Sequence, residues 1–261
     1  MSLLASVVEI VVTSLAVAGI LTLAVRTGFS TREKILSNEG GSPALRAITA
    51  TYALLLAFVL ATSLQSFQSA RQQSVTEADT VVSLGNLAVL LPAPAHERID
   101  RALSCYAQTV AYHEFPVMQA GKPITDNSAA LTGIYRSLPN LDRSSQTQIS
   151  IGGAVLQQLS VLTSARDARI RAAHSHLPPL LWVVVLGGAA IALLALTAVT
   201  FVDRPWPQFW LLSGATAIVL ASILLISSLG SPFKSQAVTI DAGPMRAALM
   251  VVSTGVPRPY C

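Results

Sequence analysis

One stretch of the chain carries hydroxyl groups along a helix face that is otherwise apolar. Residues three or four apart share one side of an α-helix, and this spacing joins Tyr52, Leu55, Leu56, Val59, Thr62, Ser63 and Ser66. If several copies placed this strip around an axis, its apolar middle, Leu55 to Val59, would form a constriction that can gate by dewetting. Small and hydroxyl residues also mediate ordinary helix packing in membranes, and this alternative stays open.

The segment that positions this strip is predicted to be a membrane-crossing helix. Its part from Ile48 to Leu64 is mainly apolar and long enough to cross a bilayer. No proline or glycine interrupts the sequence between Ala44 and Gly85, so we expect the helix to continue as far as Leu91. Such a helix would be about 70 Å long, roughly twice the hydrocarbon thickness. Half of it would therefore stand outside the membrane, as the stem of a helical domain.

The composition indicates an integral membrane protein. Hydrophobic residues make up 52% of the 261 residues, charged residues only 11%, and the mean hydropathy is +0.58. Soluble domains contain about 25% charged residues. The formal net charge is +4, but no run of lysine and arginine supports a nucleic-acid partner. The two cysteines, Cys105 and Cys261, lie far apart in the sequence, and we expect no structural disulfide between them.

The hydropathy pattern predicts an all-α membrane protein with four transmembrane helices and an inserted helical domain. Besides the helix already described, the predicted spans are Leu3–Val25, Leu180–Val202 and Phe209–Leu229. The predicted divisions are residues 1–68 with the first two spans and a short loop, 69–177 as the soluble domain, 178–230 with the last two spans, and 231–261 as a polar tail. Within the soluble domain, helical periodicity predicts helices over Ala95–Phe115, Ser128–Leu138 and residues 142–177.

The residue patterns of common enzyme sites are missing from the sequence. His113-Glu114 is not followed by the second histidine of a zinc motif, and there is no Gly-rich phosphate loop or nucleophile elbow. The acids of the soluble domain, Glu77 and Glu114 among them, are nearly matched in number by lysine and arginine, which is typical of a solvated helical surface. We therefore predict no catalytic residue, cofactor or metal, and we expect Pro116 to end a helix.

The distribution of basic residues does not decide the orientation in the membrane. Four spans would put both termini and the soluble domain on the same side. Basic residues near the predicted membrane ends are almost balanced between the two sides. We favour the cytoplasmic side for the soluble domain and both termini.

A series of short motifs, in order along residues 44–246, resembles a bacterial bestrophin-like membrane family. The matching motifs are Glu77-Ala78-Asp79, Leu91-Pro92, Tyr106, Tyr112-His113-Glu114-Phe115-Pro116, Gly121, Arg166 to Arg171, Leu177-Pro178-Pro179-Leu180-Leu181-Trp182 and Leu229-Gly230-Ser231-Pro232-Phe233. The resemblance implies a homopentamer of four-span subunits in the bacterial inner membrane. It also implies that the second span lines an anion pore and that the helical domain forms a cytosolic vestibule.

Two features of the sequence depart from the pattern of the more distant bestrophins. The predicted constriction carries aliphatic residues, and Phe58 is the only aromatic residue in that part of the span. After the fourth span the sequence has Asp241 but no acidic cluster, so the resemblance does not extend to a calcium-binding clasp.

Two hypotheses from different classes follow. The first is a homo-oligomeric channel, pentameric by the resemblance, that conducts small anions through the second-span strip and has the lipid bilayer, further copies of itself and small ions as partners. The second is a membrane-anchored helical sensor or scaffold whose spans only pack together and conduct nothing.

Overall fold

A computed structural model describes residues 11–20, 23, 41–124, 129–137, 146–174, 178–199, 205–234 and 238–253. Regular structure in these ranges is helical, without strands, which confirms the all-α prediction. Of the described helices, those long and apolar enough to cross a membrane are Arg46–Ala88, Pro179–Thr197 and Phe209–Leu229. The predicted span Leu3–Val25 lies outside the described residues except for the helix Val11–Ile20 and Leu23, so the count of four spans stays a prediction.

The described helices are numbered in chain order. They are α1 (Val11–Ile20), α2 (Gly41–Ala88), α3 (Ala93–Thr109), α4 (Phe115–Gln119), α5 (Ala129–Ser137), α6 (Gln146–His174), α7 (Pro179–Val199), α8 (Pro205–Leu229) and α9 (Gly243–Val252). A π-helical turn, Val110–Glu114, joins α3 directly to α4.

Helix α2 is continuous over 48 residues, a length of about 72 Å. One side of it is buried at steps of three or four residues along the whole length. The buried positions are Tyr52, Leu56, Val59, Ser63, Phe67, Ala70, Ser74, Glu77, Val81, Leu84 and Ala88. Because this spacing follows the helical repeat, α2 has one packing face from its apolar part to its C-terminal end.

The chain divides into two compact units. Residues 1–66 and 176–230 form unit 1, and residues 67–175 and 231–261 form unit 2. The residues after α8 thus group with the C-terminal part of α2 and with the helices α3 to α6. That unit 2 corresponds to the predicted soluble domain stays a prediction.

The described core of unit 1 is a contact between α2, α7 and α8. Tyr52, Leu56 and Val59 of α2 pack with an alanine and valine face of α7 and with Ile226 of α8; the α7 residues are Val185, Ala189 and Ala192. Small side chains on α7 let the helix backbones approach closely, as is common between membrane helices.

Unit 2 is built around α3, whose buried side packs against α5 and α9. Ile99, Leu103 and Tyr106 of α3 are fully buried, and their spacing of four and three residues puts them on one side of the helix. Helix α9 buries Met245, Ala248 and Val252, residues spaced by three and four.

The prediction of a polar tail after residue 230 is wrong, because this segment contains the packed helix α9. Pro244 stands in its first turn, and apolar residues recur at helical spacing behind it. That pattern could have revealed the helix from the sequence.

Pro116 does not end a helix, and that expectation is also wrong. It stands in the first turn of α4, and the helical path continues to Gln119. Proline lacks the N–H that would bond the carbonyl four residues earlier, and its ring clashes with that carbonyl. The wider π-helical turn directly before it, in which the N–H of Phe115 donates to the carbonyl of Val110, changes the hydrogen-bond register at this point.

Cys105 of α3 is disulfide-bonded, so the expectation of no structural disulfide is wrong for this residue. The sequence contains one other cysteine, Cys261, which lies outside the described residues.

We predict that Gly188→Ala loosens the α2–α7 contact in unit 1. A Cβ atom at Gly188 would lie 2.7 Å from Cδ2 and 2.8 Å from Cε2 of Tyr52, too close without a shift of helix or ring. Overpacking of this kind costs about 1–3 kcal/mol of unfolding free energy. Thermal unfolding in detergent measures the loss.

The neighbouring Gly187→Ala is the matched control, because a Cβ atom there meets nothing within 4 Å. It should leave the unfolding temperature unchanged or raise it slightly, since alanine favours helix over glycine. Equal destabilisation by both variants would contradict the close approach of Tyr52 to α7.

Candidate functional site

The structure divides the predicted pore strip between two environments. Four of its members are buried within the subunit: Tyr52, Leu56, Val59 and Ser63. Leu55 is half-buried, whereas Thr62 and Ser66 are exposed. The seven residues therefore do not form one continuous surface in a single subunit.

The four buried residues lie on the packing face of α2. The hydroxyl of Tyr52 donates to the backbone carbonyl of Val185 at 3.2 Å, and its ring lies against Gly188. Leu56 and Val59 belong to the core of unit 1. For these residues the contacts favour the packing alternative. That any of the seven lines a pore stays a prediction.

The opposite side of α2 presents a different set of residues, which we call the exposed strip: Leu54, Phe58, Thr62, Gln65, Ser69 and Gln72. Successive members are three or four residues apart and share one face. Leu54 is 75% and Phe58 69% exposed, so two large apolar side chains stand free at one end. Uncharged hydroxyl and amide groups follow towards the other end.

Of the exposed strip, the strip predicted from the sequence includes Thr62 alone, because the prediction followed a hydroxyl-bearing face of the helix. Hydroxyl groups do not distinguish the faces of a membrane helix, since they can bond to their own backbone. Thr62 donates to the carbonyl of Val59 at 3.0 Å, and Ser66 donates to that of Thr62 at 3.0 Å. In the sequence, the amides of Gln65 and Gln72 mark the face that the structure leaves exposed.

Unit 2 contains a buried ionic group that we call the Arg169 cluster: Glu77, Tyr106, Glu114, Arg166 and Arg169. Arg169 binds Glu77 with two donors, from Nε to Oε2 at 2.5 Å and from Nη2 to Oε1 at 3.1 Å. Its Nη2 also donates to Glu114 Oε2 at 2.5 Å. Glu77 and Arg169 are completely buried.

Two further donors complete the Arg169 cluster. Arg166 Nη2 donates to Glu114 Oε1 at 2.6 Å, so Glu114 bridges the two arginines. The hydroxyl of Tyr106 donates to Glu77 Oε1 at 2.5 Å. Carboxylates and guanidinium groups alternate, and the charges of two acids and two arginines cancel. This pairing is what permits four charged groups in a buried site.

Helical spacing and the π-helical turn bring these side chains together. Arg166 and Arg169 are three residues apart on α6 and share a face. Glu114 is the last residue of the π-helical turn, and Glu77 lies on the packing face of α2. The next residue after the turn, Phe115, places its ring 5.2 Å from the guanidinium carbon of Arg169, a cation–π contact.

The electrostatics keep the arginine charged and the tyrosine protonated. Burial by itself would lower the pKa of Arg169, but the charge of Glu77 and its hydrogen bonds outweigh this, and the pKa lies above its ordinary value. Burial and the charge of Glu77 both raise the pKa of Tyr106. Burial would raise the pKa of Glu114, yet the charge and hydrogen bonds of Arg169, together with Arg166, hold it below its ordinary value.

The prediction that Glu77 and Glu114 belong to a solvated surface is wrong. A balance of acids and bases along the sequence is the same whether the charges are dispersed in water or paired in the interior. The position of these residues in their helices was the available signal. Glu77 stands between Ser74 and Val81 on the packing face of α2. Arg166 and Arg169 likewise occur among the buried positions of α6.

The described residues contain no group of three or more histidine, cysteine, aspartate and glutamate side chains that could hold a metal. The Arg169 cluster offers two carboxylates, but both are occupied by arginine donors. It is therefore built as a charge-neutral contact and not as a cation site.

These features define an all-helical integral membrane protein with a continuous helix through both units and a buried ionic cluster in one of them. The family model of the Bestrophin-like domain matches residues 10–238. The chain belongs to this family. No curated protein matches the sequence.

Solved structures with the same fold include a bacterial bestrophin homologue from Klebsiella pneumoniae. One point mutant of it shares 12% identity, covers 94% of this chain and 98% of its own, and gives a TM-score of 0.72. A second point mutant shares 13% identity, covers 96% of this chain and 99% of its own, and also gives a TM-score of 0.72. A crystal structure of this homologue phased with zinc shares 13% identity, covers 94% of this chain and 97% of its own, and gives a TM-score of 0.71. At these identities the likeness establishes the fold, which is bestrophin-like as predicted.

We predict that Arg169→Met destabilises unit 2 strongly. It leaves the buried Glu77 without its cation, and removal of one partner of a buried ion pair costs about 3–5 kcal/mol. The double variant Glu77→Gln with Arg169→Met removes both charges and leaves Glu114 with Arg166, so it should recover much of the loss. Chemical unfolding in detergent measures both free energies of unfolding.

Arg171→Met is the control, because Arg171 lies at an exposed site of the same helix. It should change the free energy of unfolding by less than about 0.5 kcal/mol. An equal loss in the single and double variants would contradict the pairing.

We predict that Glu114 makes the protein less stable as the solution becomes acidic. Its folded pKa lies below the ordinary value, so its contribution is fully present above the unfolded pKa, about 4.3. That contribution is lost as pH falls through the folded pKa, because the unfolded state then binds the proton first. The pH dependence of unfolding should therefore be flatter below about pH 5 in Glu114→Gln than in the wild type. Asp167→Asn, at an exposed carboxylate of α6, should keep the wild-type profile.

Proposed function

We propose that the protein is a homo-oligomeric channel, pentameric in number, that conducts small anions across the bacterial inner membrane. Membership of the Bestrophin-like domain family and the fold shared with a bestrophin homologue support a channel in preference to an enzyme. The observation that carries the assignment to α2 is the exposed strip. Gln65 lies within the predicted transmembrane division, residues 1–68, and a lipid-facing side would not need its exposed amide in line with Leu54 and Phe58.

The exposed strip has the two parts that a gated pore requires. Leu54 and Phe58 supply large apolar side chains at successive turns, and a ring of these around an axis excludes water when it is narrow. Gln65 follows with amide donors that can replace part of an anion's hydration shell. Of the residues first chosen from the sequence, Thr62 and Ser66 are exposed and Leu55 half-exposed, so these three remain pore-lining candidates.

The packing face of α2 fixes the position of the helix that is proposed to line the pore. Tyr52, Leu56 and Val59 hold α2 against α7 and α8, and their side chains act on the pore through the position of the helix. The lipid bilayer, further copies of the same chain and small ions are the partners of this assembly.

We propose, from the family relation, that unit 2 and both termini face the cytoplasm. The disulfide at Cys105 is an observation against this side, because disulfides persist mainly in oxidising compartments. The charge distribution of the sequence is balanced and favours neither side.

A membrane-anchored sensor or scaffold is the second candidate. The burial of four of the seven predicted strip residues favours it, since that face of α2 is used for packing. It differs from the channel in one measurable respect, because its exposed strip would have no effect on permeation.

We predict that Phe58→Ala raises the unitary conductance of the purified protein in planar bilayers several-fold. The substitution shortens the largest exposed apolar side chain of α2, which widens the apolar constriction and makes it easier to wet. Currents measured with chloride salts at several concentrations give both the conductance and, from the reversal potential, the anion preference.

Ile218→Ala on α8 is the matched control, because this side chain is almost as exposed, at 68%, but does not belong to the exposed strip of α2. It should conduct like the wild type. A wild-type protein that carries no current over a range of salts and pH overturns the channel and favours the scaffold. An unchanged conductance in Phe58→Ala overturns the assignment of the exposed strip.

A further inference from the structure

The Arg169 cluster lies on the chain segments through which unit 2 continues into unit 1. Those junctions fall after Ser66, Ser175 and Gly230. Glu77 belongs to α2, which passes through the first junction without a break. Arg166 and Arg169 belong to α6, which ends one residue before the second.

The segment after the third junction is connected to the Arg169 cluster by one aromatic contact. Phe233 stands three residues after Gly230, is buried, and meets the ring of Phe115 edge-to-face with centroids 6.0 Å apart. Phe115 in turn lies against the guanidinium of Arg169 at 5.2 Å. Arg169 therefore contacts, directly or through a single ring, each of the three segments that connect the units.

Stability alone does not explain a buried ionic group at this place. Four charges are withdrawn from water here, and replacing a buried ion pair by apolar side chains of similar volume is often neutral or stabilising. The best-attested use of such groups is to fix register between elements. The π-helical turn that carries Glu114 points the same way, because π-helical turns are rare and frequently stand at functional sites.

We infer that the Arg169 cluster is a positioning centre for α2, and that its contacts determine how often the proposed pore is open without determining what passes through it. This inference rests on the proposed channel function. Arg169, Glu77 and Tyr106 are positioning residues in this scheme, since none of them lies on the exposed strip.

The route of the effect is the helix itself. Glu77 and Phe58 are 19 residues apart on α2, about 28 Å of helix, and no proline or glycine lies between them. A shift of Glu77 relative to α6 therefore moves or turns the exposed strip as part of the same helix. The bidentate contact with Arg169 fixes both the height and the rotation of α2 at this point, because it fits in one orientation.

The test compares single-channel recordings of the wild type with two variants that keep buried charges paired. Tyr106→Phe removes one hydroxyl, the donor to Glu77 at 2.5 Å. The double variant Glu77→Gln with Arg169→Met removes the bidentate contact and leaves Glu114 bound to Arg166. Tyr135→Phe is the control, because the hydroxyl of Tyr135 bonds Thr163 at 3.1 Å on the exposed side of unit 2.

We expect both cluster variants to change the ratio of open to closed time by about fivefold or more, the lower end of usual coupling between sites. Unitary conductance and reversal potential should match the wild type, which a merely damaged protein would not show. Amide hydrogen exchange of residues 67–88 should also be faster in both variants. Tyr135→Phe should behave as the wild type.

The outcomes separate the two proposals. If the wild type carries no current, the channel is overturned, and the inference with it. If the wild type conducts and both cluster variants keep its open-to-closed ratio, the inference alone is overturned. A change in unitary conductance or ion preference with the ratio unchanged also overturns it, because the cluster would then act on the permeation path itself.

Discussion

The bidentate contact between Arg169 and Glu77 is the constraint on which the described part of unit 2 depends. Neither charge could be buried without the other, and Glu114 and Arg166 extend the pairing to a second carboxylate and a second cation. The contact holds α2 against α6, and through Phe115 it reaches the segment after α8. The same helix α2 then packs in unit 1 through Tyr52. One continuous element thus takes its position from an ionic contact in one unit and an aromatic–glycine contact in the other.

Hydrophobic periodicity and proline positions were sufficient to predict the helices that carry apolar stripes. The uninterrupted α2, the apolar helices α7 and α8, and the buried side of α3 all follow from patterns visible in the sequence. Local rules failed where a longer-range arrangement decided the outcome. Pro116 continues a helix because the π-helical turn precedes it, and α9 is ordered by packing on α3.

The candidate site was harder to predict because a single helix does not reveal which of its faces is covered. Tyr52 and Phe58 are both aromatic residues of the same apolar run, yet one is buried against Gly188 and the other is exposed. Likewise, the acids Glu77 and Asp79 are two residues apart, and only the first is buried. Which charge is paired inside depends on α6, almost a hundred residues further along the chain, and sequence spacing carries no information about that encounter.

The continuity of α2 fixes the number of residues between its two ends. One extra residue between Phe58 and Glu77 would turn the side chain of Phe58 by about 100° around the helix axis relative to that of Glu77. Seven extra residues would restore the direction to within about 20° but lengthen the helix by about 10 Å. The number of residues in this segment therefore fixes both a distance and an angle along α2. Substitutions leave these two quantities unchanged, whereas insertions and deletions alter them.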